Sequence, residues 1–278
     1  MPDIYMNGRF CPEEEAKISV LDGAVQVGDG IFETIRGHRG VPAFFAEHMK
    51  RMRSGAHLLR IPFGLPDDEI RRALVKLCSG NDAPEARIRL MLTRGAPGCK
   101  PAFIATAEPY TPHTPEKYDE GYVLAVSEMI HFSRGLLAGL KSLNYLAFTL
   151  ARREANEAGA DEALMLNEHG NVAECSSANI FCVRNGELLT PDLKSGILPG
   201  VVRDLIIRLA SDAGISVHEK PLPLRELLEA DEAFITSSLR GIMPVLKIDE
   251  RVYAGDRPVT RRLSGLYAGE LDRVCRGL

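Results

Sequence analysis

The stretch GLKSLNYL, Gly139–Leu146, places one lysine inside an apolar run. The spacing of the leucines that follow predicts a helix beginning just after Lys141. A lysine at a helix start meets the positive end of the helix dipole, and apolar neighbours also disfavour its charge. Both effects favour the neutral amine that a Schiff base requires. The ordinary alternative is a surface lysine with a buried stem, and Lys141 taken alone favours that alternative.

The composition argues against several classes of protein. The 278 residues carry a net charge of −4, with a pI of about 6.0, and lack the basic excess that is typical of nucleic-acid binding. The sequence has no apolar run of membrane-spanning length and no signal-peptide pattern at its start. Its six cysteines are scattered and its seven histidines follow no metal-binding spacing. We therefore expect a cytoplasmic protein with reduced thiols, no metal site, and neither nucleic-acid nor membrane partners.

A proline-rich polar segment, AEPYTPHTPEKYDEG, divides the chain and is the best linker candidate. It predicts a small α+β domain over 1–112, a linker over 113–120 and a larger domain over 121–278. In the first part, helical spacing predicts helices over about 46–59 and 67–78. Alternating apolar residues predict antiparallel strands before and after these helices.

In the second part, strands outnumber helices and are too short for a regular βαβ series. Turns are expected at 169–170 and at Asn185-Gly186, because Asn-Gly between apolar runs is a strong hairpin signal. The helix after Lys141 should bury Leu143, Leu146, Ala147 and Leu150, which share one face. We interpret this part as a mixed, barrel-like α+β domain.

Three further segments carry polar residues that could serve chemistry. Glu174, in a strand of small and apolar residues, could bind a cationic ring nitrogen, although spacing alone favours an outward-facing strand glutamate. SGILPGVVRDL, 195–205, joins a Gly/Pro loop to a helix whose free amides suit a phosphate, as do those of many helices that bind none. ITSSLRG, 235–241, could add hydroxyl and amide donors, or could be an ordinary polar loop.

Four other side chains are candidates for the same site. Tyr145 follows Lys141 by four residues and would share its edge of a helix that began by residue 142, although a core tyrosine is equally compatible. Arg51 is offset from the apolar stripe of its helix, a position that is usually solvated. Arg36 and Arg94 end predicted strands and could bind a carboxylate, but arginines are common there.

Taken together, these segments resemble one family, the class-IV aminotransferases. These fold-type IV enzymes depend on pyridoxal 5'-phosphate (PLP) and include branched-chain aminotransferases, D-amino-acid aminotransferases and aminodeoxychorismate lyases. The blocks that carry the resemblance are GDGIFETIR, EHMKRM, LAGLKSLNYL, DEALMLNEHGNVAECSSANIF, GILPGVVRD and TSSLRGIMPV. The resemblance covers nearly the whole chain. It implies a small N-terminal α/β sandwich, a larger C-terminal pseudo-barrel that binds PLP, and a homodimer with its active site near the subunit interface.

The resemblance also implies a role for each candidate residue. Lys141 would hold PLP as an aldimine and move the proton at the substrate carbon, and Glu174 would keep the pyridine nitrogen protonated. Tyr145 would lie beside the phenolic oxygen of the ring. Phosphate-binding positions are expected at Arg51, Gly200, Val201, Val202, Ser238 and Leu239. Substrate-binding positions are expected at Phe32, Arg36, Arg94 and Arg240. Family members often have threonine where this chain has Val202 and Ser238, so a hydroxyl donor is lost at Val202.

The resemblance leaves more than one reaction open. Blocks such as GDGIFETIR and SSLRGIMPV favour 4-amino-4-deoxychorismate lyase, which releases pyruvate and 4-aminobenzoate. TRGAPGCKP lacks the Arg-x-His carboxylate trap that often follows TRG in D-amino-acid aminotransferases. A transaminase for D- or branched-chain amino acids with 2-oxo acid acceptors is nearly as well supported, since another arginine could replace that trap. A protein that binds PLP without turnover is the third alternative.

Overall fold

The computed structural model describes residues 3–253 and 255–276, and within them the chain forms sixteen β-strands and eight α-helices. The strands are β1 (Asp3–Met6), β2 (Arg9–Pro12), β3 (Gly30–His38), β4 (Val41–Pro42), β5 (Ala86–Thr93), β6 (Phe103–Pro109), β7 (Tyr122–Val126), β8 (Glu162–Leu166), β9 (Asn171–Cys175), β10 (Asn179–Arg184), β11 (Glu187–Pro191), β12 (Val217–Lys220), β13 (Leu222–Pro223), β14 (Glu232–Ser237), β15 (Gly241–Ile248) and β16 (Arg251–Val252). The helices are α1 (Gly23–Val27), α2 (Phe45–Leu58), α3 (Asp67–Gly80), α4 (Pro115–Glu120), α5 (Leu146–Glu157), α6 (Val201–Asp212), α7 (Leu224–Leu228) and α8 (Pro258–Cys275).

The chain divides into two compact units. The first comprises Met1–Pro112, Leu140–Asn144 and Leu271–Leu278, and the second comprises His113–Gly139 and Tyr145–Glu270. The segment at 113–120, for which the sequence suggests a linker, contains helix α4, which begins with a proline that its first turn tolerates.

The first unit is built on an antiparallel sheet in the order β2-β1-β6-β5-β3-β4. Alternation along the strands sends Ile31 and Ile35 of β3 and Ile88 of β5 into one core, which also contains Met49 and Met52 of α2. The helices predicted over 46–59 and 67–78 are confirmed, because α2 and α3 differ from them by no more than two residues at either end. Their apolar periodicity was sufficient to find them.

The segment 140–144 of the first unit is extended and pairs with the beginning of β3. The Phe32 amide donates to the Lys141 carbonyl at 2.9 Å, and the Leu143 amide donates to the Gly30 carbonyl at 2.9 Å. The prediction of a helix starting just after Lys141 is therefore wrong, since α5 begins at Leu146. Backbone groups that bond to β3 are not available for a helical turn, so the argument from the helix dipole does not apply to Lys141.

The buried face of α5 also differs from the prediction. Leu146 is 66% exposed and Leu150 is 37% exposed, whereas Ala151 and Ala155 are buried and pack with Met165 of β8. Small residues on this face let the helix approach the sheet closely. Both the leucines and the alanines of α5 recur at helical spacing. This spacing predicts a helix but does not reveal which of the two faces packs against the core.

The second unit has a mixed sheet in the order β12-β11-β10-β14-β15-β7-β8-β9-β13, with β16 paired to β15. The turns predicted at 169–170 and at Asn185-Gly186 are confirmed, because they join β8 to β9 and β10 to β11. Asn185 has φ 52° and Gly186 has φ 79°, the left-handed values that such a tight turn requires. The predicted α+β class is also confirmed.

Candidate active site

In the first unit, Lys141 and a second cation contact the same aromatic ring. The Lys141 Nζ lies 4.6 Å from the centroid of the Phe32 ring, and the Arg89 guanidinium carbon lies 3.5 Å from it. Thr34 pairs with Arg89 in the β3–β5 register, which places both on the sheet face opposite the core. An amine and an arginine on one buried phenyl ring form a cationic cluster that suits an anionic substrate.

Arg89 was missed in the sequence analysis. A signal was present, because alternation in RIRLMLTRG puts Ile88, Leu90 and Leu92 in the core and therefore puts Arg89 on the other face. What the sequence could not give is the cross-strand register that brings Arg89 to Phe32. Arg89 therefore contacts the Phe32 ring, which Lys141 also contacts.

Arg51, a predicted phosphate ligand, is held by a buried carboxylate. Glu33 is 1% exposed and accepts bonds from Arg51 Nε at 2.7 Å and Arg51 Nη2 at 2.6 Å. His48 Nδ1 lies 2.8 Å from the same carboxylate. Because Glu33 faces the core side of β3 and Arg51 comes from α2, this bidentate pair fixes the guanidinium plane against the sheet.

The charges of this cluster are strongly perturbed. Burial alone would raise the pKa of Glu33, but the charge of Arg51 and the bonds from Arg51 and His48 lower it to well below its usual range. Burial lowers the pKa of His48, with the charges of Arg51 and Lys141 acting in the same direction and Glu33 opposing them. Glu33 is therefore ionised at neutral pH, while His48 is neutral.

Arg36 and Arg94, both predicted on the substrate side, are engaged by carboxylates of the first unit. Arg36 Nη2 lies 3.1 Å from Glu85, and Arg94 Nε lies 2.8 Å from Asp29. Arg94 also donates to two backbone carbonyls. Their assignment to the substrate stays a prediction, and each has a structural role in the geometry observed.

In the second unit, Glu174 is a buried carboxylate that accepts hydrogen bonds from two neutral groups. It is 6% exposed, and its oxygens accept from the Leu198 amide at 3.2 Å and from Asn179 Nδ2 at 3.1 Å. Asn179 also donates to the Leu198 carbonyl at 2.9 Å, so one amide side chain joins strand β10 to the loop before α6. Bonds from neutral groups favour the charged carboxylate without neutralising it. Such a group can stabilise a protonated ring nitrogen.

The loop-to-helix junction predicted to bind phosphate is present in the second unit. Gly200 is the N-cap of α6, and Val201 and Val202 are its first two residues. Amides in the first turn of a helix have no partner within the helix, so they suit an anion. A Cβ at Gly200 would collide with the side chain of Asn179, which explains why this position has no side chain.

The second predicted phosphate loop is the turn between β14 and β15. Ser238 and Leu239 are half-buried in this turn, and the residue that follows them, Arg240, anchors it. The Arg240 carbonyl accepts from Tyr118 Oη at 2.8 Å. Gly241 has φ 67° and packs against the ring of Tyr267, so the turn is tightly constrained on both sides.

Arg240, predicted to bind substrate, forms a buried ion pair instead of facing open solvent. It is 9% exposed, and its Nη2 lies 3.3 Å from Glu162 and 2.6 Å from Ser177 Oγ. Burial tends to lower the pKa of this guanidinium, but Glu162 and Tyr122 raise it, so Arg240 stays charged. A role toward the substrate stays a prediction.

Tyr145 is the N-cap of α5 rather than a residue within a helix that contains Lys141. Its hydroxyl donates to the Ser176 carbonyl at 2.5 Å, and its ring stacks on Phe148 with centroids 4.6 Å apart. Its orientation is therefore set by the β9–β10 turn and by the first turn of its own helix.

Two negative findings apply to the residues that the structure describes. No group of three or more His, Cys, Asp or Glu side chains in 3–253 and 255–276 is placed to hold a metal ion. In the same ranges, no helix combines the length and the apolar character needed to cross a membrane. The six cysteines are free thiols.

Comparison with known proteins identifies the family. The family model for amino-transferase class IV matches residues 30–248. A protein of Methanocaldococcus jannaschii, provisionally named as a branched-chain-amino-acid aminotransferase, is 39% identical over 257 residues, which is 90% of this chain and 88% of that protein. The D-alanine aminotransferase of Listeria monocytogenes is 30% identical over 284 residues, covering 98% of this chain and 97% of that protein.

Solved structures agree with this result. The branched-chain aminotransferase of the archaeon Thermoproteus uzoniensis, solved with norvaline, matches with a TM-score of 0.89 and 30% identity over 98% of this chain and 97% of that one. A protein of Legionella pneumophila, provisionally named as a 4-amino-4-deoxychorismate lyase, matches with a TM-score of 0.87 and 28% identity over 93% and 97%. Another branched-chain amino acid aminotransferase, at 32% identity, was solved with pyridoxamine 5'-phosphate and has a TM-score of 0.90. The chain therefore belongs to the class-IV aminotransferases, the PLP-dependent enzymes of fold type IV.

Proposed function

We propose that the protein is a transaminase that moves an amino group between an amino acid and a 2-oxo acid. The observation that carries this proposal is the cluster on Phe32, where the Lys141 amine and the Arg89 guanidinium contact one ring. A lysine provides the nucleophile and base, and an arginine suits a substrate carboxylate. The names of the relatives at 39% and 30% identity support the same reaction.

The side chains described above fit PLP by their donor chemistry. Glu174 would bind the ring nitrogen, and the first amides of α6, which begins after Gly200, would bind the phosphate. In the second unit, the turn carrying Ser238 and Leu239 would add donors for the phosphate, and Tyr145 would lie at the phenolic oxygen. In the first unit, Arg51 is the residue that the family resemblance assigns to the phosphate. PLP itself supplies an electron sink that stabilises negative charge on the substrate carbon.

The work of the protein is then to hold charges and to move one proton. We assign to the Lys141 Nζ the transfer of the proton at the substrate Cα, which general-base catalysis makes about 10²- to 10⁴-fold faster. Glu174 would keep a proton on the ring nitrogen, because a buried carboxylate favours a cation beside it. Glu33 fixes the plane of Arg51, so the phosphate would meet a guanidinium that is already oriented.

The substrate carboxylate is assigned to Arg89 in preference to Arg36 and Arg94. Arg89 lies on the Phe32 ring that the Lys141 amine also contacts, so a carboxylate bound there would be close to the reacting amine. Arg36 and Arg94 bind the carboxylates of Glu85 and Asp29 at 3.1 and 2.8 Å, which gives each of them a structural role in the first unit. The exchange Arg89→Gln should raise KM for the amino donor more than Arg36→Gln does.

The lyase reaction is the second candidate. The blocks GDGIFETIR and SSLRGIMPV favour it, and the Legionella pneumophila structure carries that name. A lyase eliminates pyruvate from its substrate, and the formation of the aromatic 4-aminobenzoate drives this step. It therefore needs no amino acceptor. A third candidate, a protein that binds PLP without turnover, would have no need for the Lys141 amine beside Phe32.

One experiment separates these functions. Purified protein is loaded with PLP and mixed with single amino donors, including D-alanine and leucine, and separately with aminodeoxychorismate. A transaminase converts the cofactor to pyridoxamine 5'-phosphate, seen by its change of colour, and a 2-oxo acid restores it. Formation of 4-aminobenzoate without pyridoxamine would instead establish the lyase. A cofactor that never changes with any amine would establish the non-catalytic alternative.

We also propose a homodimer in the cytoplasm. The first unit exposes large apolar side chains that are close together in sequence and that a second copy could cover, with Val20 72%, Leu21 60% and Val27 70% exposed. Sedimentation should give twice the chain mass of 30.5 kDa, and Val20→Asp together with Val27→Asp should shift it to the monomer. A monomeric wild type would contradict this part of the proposal.

A further inference from the structure

The second unit contains a buried polar network centred on Glu162. This residue is 0% exposed, and its carboxylate accepts bonds from the hydroxyls of Ser176 and Ser177, the latter at 2.5 Å. Arg240 Nη2 lies 3.3 Å from the same carboxylate, and Arg152 Nη1 lies 3.7 Å from it. A carboxylate taken fully out of water needs such partners, so the network has a fixed geometry.

Two partners of Glu162 connect it to elements assigned above to PLP. Ser176 donates through its hydroxyl to Glu162, while its carbonyl accepts from the Tyr145 hydroxyl at 2.5 Å. Arg240 follows Ser238 and Leu239 in the β14–β15 turn. One carboxylate therefore bonds to a neighbour of Tyr145 and to the turn itself, although the sequence separates Glu162 from Arg240 by 78 residues.

We propose that Glu162 is a positioning residue for two cofactor-binding elements of the second unit. It acts on Tyr145 through Ser176, and on the β14–β15 turn through Arg240. This inference rests on the proposed function, because that function is what assigns Tyr145 and the turn to the cofactor. It also gives Arg240 a role different from substrate binding, since its guanidinium is committed to Glu162 and Ser177.

The test separates binding of the ring from binding of the phosphate. Dissociation constants are measured for pyridoxamine 5'-phosphate and for pyridoxamine, which has the same ring without phosphate, on the cofactor-free protein. The ratio of the two constants is the advantage that the phosphate provides. Neither ligand carries an aldehyde, so the measurement does not depend on the covalent chemistry of Lys141.

Each variant has its own expected pattern. Arg240→Gln should reduce the phosphate advantage by about tenfold, the size of one hydrogen bond to a charged group, and leave pyridoxamine binding unchanged. Ser176→Ala should weaken both ligands equally and keep the phosphate advantage. Glu162→Gln should show both effects. Arg240→Lys, which retains the charge, should recover part of the advantage, and Arg225→Gln on the exposed surface should match wild type.

Other outcomes overturn the inference. Equal weakening of both ligands by Arg240→Gln and Glu162→Gln would indicate a general packing role. A raised KM for the amino donor with unchanged binding of pyridoxamine 5'-phosphate would make Arg240 a substrate residue. If wild type binds neither ligand, the proposed function fails together with the inference. If wild type binds and turns over while all variants bind like it, the inference alone fails.

Discussion

Glu33 in the first unit and Glu162 in the second are both buried carboxylates that bind an arginine, but their partners differ. Glu33 receives two charge-assisted bonds from Arg51, at 2.6 and 2.7 Å, and a third contact from His48. Glu162 receives two serine hydroxyls and a longer contact from Arg240 at 3.3 Å. The first network is a bidentate ion pair, and the second is a hydroxyl-rich hub.

The difference indicates what each network stabilises. A bidentate pair fixes one guanidinium plane, so Glu33 orients Arg51, which keeps 14% of its side chain exposed, and also contacts His48 of the same helix. A hub with several weaker donors joins several segments, so Glu162 serves a turn, a strand end and a tyrosine. We therefore expect the loss of Glu33 to lower the free energy of unfolding strongly and to affect mainly Arg51. The loss of Glu162 should lower it less but should affect several segments of the second unit.

The exchange Lys141→Ala should have the largest effect, and that effect is on turnover. If Lys141 moves the substrate proton, turnover should fall by roughly 10²- to 10⁴-fold. Turnover is measured as pyridoxamine 5'-phosphate formed in a single half-reaction. Lys141→Arg places a permanently charged guanidinium near Phe32 and has no amine that can act as a base, so it should be equally inactive. The exposed Lys50→Ala is the matched control, and a comparable loss there would contradict the assignment.

The exchange Glu33→Gln should give the larger loss of stability. Removing one partner of a buried ion pair leaves the other charge uncompensated, which typically costs about 3–5 kcal/mol. Because Arg51 is partly exposed, we expect the lower end, about 3 kcal/mol, in the free energy of unfolding by urea. Glu47→Gln, on the exposed side of α2, is the control. Equal values for the two variants would show that the Glu33 network is no ion-pair clamp.

Much of the scaffold of these networks could be predicted from the sequence. The apolar periodicity of α2 and α3 is a local property of the sequence. The Asn185-Gly186 turn is also local, because Asn and Gly are the residue types that favour its two left-handed positions. The candidate residues were found by family resemblance rather than by spacing. Lys141 and Glu174, taken alone, both favoured a surface position.

What could not be predicted depends on contacts between distant residues. Lys141 lies in an extended segment because its backbone bonds to β3, more than a hundred residues earlier in the chain. Arg89 required the β3–β5 register, and the Glu162–Arg240 pair requires strands far apart in sequence. Local propensity carries no information about such pairings, so the helix expected after Lys141 and its buried leucines were wrong.

The exchange Glu162→Gln should destabilise the protein less than Glu33→Gln. The amide keeps the shape but has one acceptor oxygen in place of two, and the ionic contact that it loses with Arg240 is a long one at 3.3 Å, so we expect a loss of about 1–3 kcal/mol. Urea unfolding of both variants under identical conditions gives the comparison directly. Glu154→Gln, on the exposed face of α5, should be neutral. A larger loss for Glu162 than for Glu33 would reverse the ranking of the two networks.

The smallest effect is on the pH dependence of stability, and it belongs to the Glu33 network alone. The pKa of His48 is lowered in the folded state. Below pH 6.5, its usual pKa, the unfolded chain therefore binds a proton that the folded chain does not bind. His48 therefore costs stability as the pH falls below 6.5. The lowered pKa of Glu33 adds its own loss only below the usual value of 4.5, where the unfolded carboxylate takes up a proton.

Between pH 6.5 and 4.5 the two groups can be separated by the slope of the unfolding free energy against pH. His48→Asn keeps a donor toward Glu33 but cannot titrate, so its slope in this window should be flatter than that of wild type, whatever its absolute stability. His57→Gln removes an exposed histidine of the same helix and should keep the wild-type slope. If His48→Asn and wild type run parallel, His48 titrates alike in both states, and the Glu33 network differs from the Glu162 hub by geometry rather than by a buried neutral imidazole.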